Sequence, residues 1–360
     1  MNTNIIQLTQ TLISVPSVPT NTLALNTVLR KSVELLKNYS IQNYSQKNIP
    51  SVIVSNLKLA KKYRVILNAH LDIVSGKSDQ FKSKVIGNKL IGRGVYDMKG
   101  AAAVMIQVFN DLAHQVSYPL GLQLVTDEET GGFHGTKHQV EKGIRADFVI
   151  SGEPTDFNIK YQAKGIIWAK IHFKGKSAHG AYPWKGDNAI AQANEFMTKL
   201  YKLYPIPDTE VWETTVNIAR IETENETMNK IPNTCIVSLD IRYVPEDAAS
   251  VMKHLEKIIP KSATIELIEN EPPHMTDKSH PFIQKLQREV MSVTRKQPQL
   301  TRAMGASDLR HFSAVGVPGV EFGPVGAGHH TDDEWVSIKS LGEYYQILKR
   351  FILAIDNTLS

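Results

Sequence analysis

The chain has 360 residues, 42% of them hydrophobic and 21% charged, with a formal charge of +5. That length supports a large core and two domains, and the ordinary composition excludes a disordered or fibrous chain. No apolar run is long enough to span a membrane, and the mild charge carries no RNA- or DNA-binding motif, so neither membrane nor nucleic acid is an expected partner. The densest basic stretch, residues 58–64, reads as solvated surface. The single cysteine, Cys235, excludes an internal disulfide and a thiolate zinc cluster. It fits a reducing compartment, and the opening residues lack a signal-peptide pattern, so a cytoplasmic location is expected. Any metal must then be held by nitrogen and oxygen ligands, which suits a catalytic site.

Ile5, Leu8, Leu12 and Ile13 recur at helical spacing and stop near Pro16, predicting a first helix; a second runs over roughly 25–36. Val65, Ile66 and Leu67 form a short apolar run between polar stretches. This predicts a buried strand that delivers His70 and Asp72 to its carboxyl end. In open α/β sheets that end is where ligands bind. His70 can offer a ring nitrogen to a metal while Asp72 holds the other nitrogen; the alternative is a buried histidine with a satisfied hydrogen bond. A polar loop with Gly76 and Gly87 follows, then I-G-R-G-V-Y-D-M-K and the strongly helical A-A-A-V-M-I-Q-V-F-N-D-L. Asp97, just ahead of that helix, is either its cap or a carboxylate aimed into the same crevice.

The strand predicted over 120–125 ends in T-D-E-E-T-G-G, placing Glu128 and Glu129 in a turn that is either solvated or functional. The strand over 148–150 ends in S-G-E-P, with Glu153. Three successive strands thus finish in a histidine or carboxylates, a pattern that suggests convergence on one site. From about residue 163 the pattern changes to strict alternation over 165–173, an amphipathic helix over 188–204, strands over 211–221 and 234–243, a helix over 245–259 and a strand over 265–268. This α+β unit reads as an insertion, residues 163–273, closed by the hinge-like E-P-P. Helix 282–294, the turn G-A-S-D-L-R, strand 319–322, the loop G-A-G-H-H-T-D-D-E and a final helix from 338 to about 355 resume the first domain, residues 1–162 and 274–360.

The ordered motifs H-L-D, G-R-G-V-Y-D-M-K-G, D-E-E-T-G, S-G-E-P and H-H-T-D-D-E, with S-A-H-G and I-P-N-T in the insertion, resemble a known set. They are those of the di-zinc metallopeptidase and deacylase family of succinyl-diaminopimelate desuccinylase, acetylornithine deacetylase, aminoacylase and glutamate carboxypeptidase. The resemblance implies a mixed-sheet, zinc-peptidase-like α/β catalytic domain with an inserted α+β lid and dimerisation domain. It implies two zinc ions, with cobalt or manganese possible, held by His70, Asp97 (bridging), Glu129, Glu153 and His330, with His329 the alternative for the last. Asp72 would orient His70, Glu128 would be the general base, and the Asp97–Met98 peptide bond would be cis. His179 would be a lid histidine acting on the neighbouring subunit's site in a homodimer, or else a surface turn residue. Asn233, Arg242 and Arg310 match substrate-contacting positions, with strand packing and a surface ion pair the plainer reading of the first two. Glu at position 153 is typical of the deacylases, whereas Ala306 stands where desuccinylases usually have threonine. The reaction expected is hydrolysis of an N-acyl amino acid, desuccinylase- or deacetylase-like, with a dipeptidase or carboxypeptidase as the alternative.

Overall fold

Two runs of consecutive buried residues, Val65–His70 and Leu120–Val125, form the centre of the main sheet. They are buried, and mostly apolar, on both faces because both faces are covered, as parallel strands of α/β proteins require. The computed structural model describes residues 3–58 and 60–356; residues 1–2 and 357–360 of the expected first domain and Leu59 of the basic stretch lie outside the described residues. In space the strands run Ser40–Asn43, Val52–Ser55, Leu120–Val125, Val65–His70, Val149–Ser151, Gly319–Glu321 and Ile159–Ala163. The four from Leu120–Val125 to Gly319–Glu321 are parallel, and the strands on either side of them are antiparallel. The sheet is therefore mixed, as expected. The first two strands and the last were not expected from the sequence.

Alternation across the sheet separates two cores. Val65, Leu67, Leu120, Leu122 and Ile150 join the helices Thr3–Ile13, Thr22–Ser32, Gly100–Leu112, Pro281–Thr294 and Ile338–Asp356. Ile66 and Val149 face the short helices Thr136–Glu141 and Leu309–Ser313, packing with Val140, Leu309 and Phe312. Helices on both faces leave the carboxyl ends of the parallel strands as the place where the chain can expose chemistry.

By contacts the chain forms two compact units: Met1–Gln162, Met275–Thr301 and Ser307–Ser360 in one, Ala163–His274 and Arg302–Ala306 in the other. In the second unit, the strands Thr215–Glu222, Thr234–Tyr243, Gly165–Lys174 and Ala263–Glu271 pair antiparallel in that order. Their alternating burial reflects one face packed on the helices Ala189–Leu203 and Val251–Ile258. Arg302–Ala306, which the sequence placed with the final segment, groups here because Ala303 accepts the Lys164 amide and Arg302 lies over Trp212. Among the described residues, no helix is long and apolar enough to cross a membrane.

Candidate metal centre

His70 closes the central parallel strand and is buried. Its Nε2 lies 3.1 Å from Asp97 Oδ1 and 4.0 Å from Glu153 Oε2. The other oxygen of Asp97 lies 3.3 Å from His330 Nε2, which itself stands 3.3 Å from Glu129 Oε2. Asp97 thus presents one carboxylate oxygen to each imidazole, with Glu153 flanking one side and Glu129 the other. Ligand atoms of His70, Asp97 and Glu129 all fall within 4.8 Å of one another. The neighbouring His329 instead packs its ring against Tyr96, 6.1 Å between centroids.

Each group is set by its local chain. Asp97 does not cap the helix that follows; its Asp97–Met98 bond is cis, as expected, and helix Gly100–Leu112 starts behind it. The preceding turn wraps a single buried carboxylate. Glu334 accepts the amides of Gly94 (2.8 Å), Tyr96 (2.9 Å) and Asp97 (3.1 Å) and the Arg93 guanidinium (3.2 Å). Glu128 and Glu129 sit in a turn whose two amides both donate to the Asp72 carboxylate, at 3.2 and 2.9 Å. Asp72 also stands beside His70, whose Nδ1 meets the Asp72 backbone carbonyl at 3.0 Å and lies 3.6 Å from its carboxylate. The carboxylate is occupied in shaping the glutamate turn. Behind that turn, Gly132 has φ +64, and a Cβ there would come within 2.1 Å of Asp308 Oδ1. Ser151 donates to Asn68 Oδ1 at 2.7 Å and lies 3.3 Å from Glu153 Oε1.

Burial alone would raise the pKa of Asp97, but the imidazoles of His330 and His70 reverse this and lower it. Asp97 and then Glu129 lift His330 to about 10. Burial opposes a charge on His70, yet Asp72, Asp97 and Glu153 around it raise it well above the usual value. Burial, and then Glu153, raise Glu128 well above the carboxylate range. Burial likewise lifts Glu153 to about 8, against the pull of His70. Carboxylates and imidazoles that both hold protons too tightly mark a site short of positive charge. Glu129 Oε1 is also buried without a hydrogen-bond partner. This all-nitrogen-and-oxygen donor set, with a two-sided carboxylate at its middle, fits a pair of divalent cations.

The remaining predicted residues have other surroundings. Arg310 is buried and committed to backbone carbonyls, donating to Ser307 (3.0 Å) and Gly131 (2.5 Å). Its guanidinium secures the end of the glutamate turn. In the second unit, Arg242 pairs with Asp240 (2.8 Å), which also accepts the Trp168 indole. Asn233 has an exposed side chain, and its backbone carbonyl takes the Gly175 amide. His179 is exposed; its Nδ1 accepts the Ala181 amide and its ring lies beside Tyr182. Sequence reasoning gave Glu334, the last residue of H-H-T-D-D-E, no role of its own, since nothing local tells its burial from the exposure of Asp332 and Asp333 beside it. It also missed Glu321, buried at the end of the fourth parallel strand and 3.5 Å from Lys160. An acid ending one more strand was the available signal for Glu321.

A mixed α/β sheet that gathers histidines and carboxylates beyond its parallel strands is the architecture of a metal-dependent hydrolase. The chain belongs to Peptidase family M20/M25/M40, whose profile matches residues 66–354. It is 27% identical over 307 residues to succinyl-diaminopimelate desuccinylase of Helicobacter pylori (strain G27), covering 81% of this chain and 78% of that one. Its fold is similar to that of aminopeptidase PepT from Bacillus cereus ATCC 10987, with a TM-score of 0.79 and 17% identity over 97% of each chain. It is also similar to that of the YXEP protein of Bacillus subtilis, a dinuclear metal binding peptidase, with a TM-score of 0.74 and 16% identity over 99% of each chain. The chain is an amide hydrolase of this metal-dependent family.

Proposed function

We propose that the enzyme removes the acyl group from an N-acyl amino acid, in the manner of a desuccinylase or deacetylase, using two zinc ions. The observation that carries this reading is Asp97 held between two imidazoles, with carboxylates at both sides and the Glu128 carboxyl beside them. His70, Asp97, Glu129, Glu153 and His330 would hold the metals. When bound, these would polarise the amide carbonyl and lower the pKa of water at the site. Glu128 would accept a proton from the attacking water as oxygen adds to the carbonyl carbon, then deliver it to nitrogen as the C–N bond breaks. Burial, and then Glu153, raise its pKa, which makes the ionised carboxylate a stronger proton acceptor. Asp72 would keep Glu128 and Glu129 in place through their amides. The acyl-amino-acid preference is supported by Glu153 and by similarity to the desuccinylase. Ala306, in place of the usual threonine, weakens a specifically desuccinylase reading, and the second reading is a dipeptidase or carboxypeptidase. Release of free amine from N-succinyl and N-acetyl amino acids, compared with dipeptides, separates the two; peptide turnover tenfold or more faster would overturn the first. Chelation should abolish activity, and zinc should restore it at about two ions per chain.

His179, Asn233 and Arg242 would complete substrate binding from the inserted unit, acting as a lid. We place the enzyme in the cytoplasm, on its single cysteine, and as a homodimer paired through that unit with His179 acting in the partner's site. Mixed dimers of His179→Ala and Glu128→Gln subunits should regain activity; no recovery would refute action across subunits.

A further inference from the structure

Residues 12–17 carry no predicted ligand, and they precede the part of the chain that the family profile matches. They nevertheless touch two ligand-bearing segments. Lys99, two residues past Asp97, is fully buried, and its ammonium donates to the carbonyls of Leu12 (3.0 Å) and Val15 (2.8 Å). The last carbonyls of a helix lack partners within it and attract a cation, so Lys99 closes the end of helix Thr3–Ile13. Ser17 meets the other segment. Its hydroxyl donates to Leu71 O (2.6 Å) and its carbonyl accepts the Ile73 amide (3.1 Å), the two positions that flank Asp72. Burial pulls the Lys99 ammonium down to about 7, and Asp72 and Glu334, the carboxylates that gather the amides of the glutamate turn and of the Asp97 turn, act against that. A buried ammonium needs such partners, because an uncompensated one is strongly disfavoured.

We propose that Lys99 and Ser17 are positioning residues that pin the Asp97 and His70–Asp72 segments to one rigid peg, the end of the first helix. The spacing between ligands is then set by a segment that supplies none of them. The inference rests on the metal-centre reading, and its test does not depend on substrate. Full-length apoprotein is titrated with cobalt(II), reading both affinity and the visible absorption of the bound ion. Lys99→Met and Ser17→Ala should each bind cobalt about 10–100-fold more weakly, the usual effect of removing an outer partner of a metal site, and should shift the absorption bands. Val28→Ala is the control: it opens space in the same core while leaving the bonds of Lys99 and Ser17 in place. It should lower stability and leave the spectrum unchanged. If Lys99→Met does not fold, the single hydroxyl removed in Ser17→Ala decides. Folded variants with wild-type affinity and spectrum would overturn the proposal, as would a Val28→Ala spectrum shifted as far as theirs. A wild-type chain that takes up no cobalt would overturn the metal-centre reading itself, and this inference with it.

Discussion

Glu334→Ala should unfasten the metal centre without touching a ligand. In the wild type this buried side chain satisfies three backbone amides and one face of Arg93. Each buried amide left without an acceptor costs about 1–3 kcal/mol. Stranding Arg93, whose next carboxylate oxygen is 3.9 Å away on Asp332, costs about 3–5 kcal/mol. The low ends together come to about 6 kcal/mol, and water entering the vacated space recovers part of it, so a loss of at least about 3 kcal/mol is expected. Glu334→Gln keeps one acceptor oxygen and turns an NH2 towards other donors, so its loss should be intermediate. Urea unfolding of the apoprotein measures the loss. Hydrogen exchange at Gly94, Tyr96 and Asp97 locates it, since those amides should lose protection. Metal content should fall as well, because the released turn carries Asp97. A Glu334→Ala protein within about 1 kcal/mol of wild type, with those amides still protected, would refute the reasoning.

Glu128→Gln should lower turnover about 10²–10⁴-fold, the span of general-base catalysis, while metal content stays near wild type; an active variant would remove Glu128 from the base role. Arg310→Met should reduce stability and turnover together, because the buried guanidinium ties Gly131 to the Ser307 turn. A rise in KM alone, at full stability, would return Arg310 to substrate binding. Acid should destabilise the fold through His311. Burial, and then Arg310, hold this imidazole down to about 3, against about 6.5 in an unfolded chain. It stays neutral when folded, so below pH 6.5 protons bind preferentially to the unfolded chain, and stability falls as pH drops towards 3. Between pH 7.5 and 5.0 the loss from this group is about 2 kcal/mol. His311→Gln should lose that part of the slope, and equal slopes in the two proteins would exclude His311 as its source.

Most regular elements that bury one stripe or both faces were legible in the sequence, although the short buried strands Val52–Ser55 and Ile159–Ala163 were not. The runs at 65–70 and 120–125, the helix after Lys99 and the alternation at 165–173 announce themselves through apolar periodicity, which is local. The strand-end positions of His70, Glu128, Glu129 and Glu153 followed from the same local pattern, Asp97 stood ahead of its helix as either a cap or a crevice carboxylate, and the resemblance added His330. Strands whose residues are mostly exposed, such as Lys84–Ile86 and its partner Lys89–Ile91 across Gly87, left no such trace and read as loop. What only the tertiary structure decided is which buried polar group serves which. Asp72 gathers the glutamate amides while standing beside His70, Arg310 holds two backbone carbonyls, and Glu334 is the centre of the Asp97 turn. Lys99 reached back to the end of the first helix, 84 and 87 residues earlier. A side chain's residue type states what bonds it can make. Its partners lie tens to hundreds of residues away, and only the closing of the sheet and its helices brings them within hydrogen-bond reach, where burial then makes those bonds obligatory.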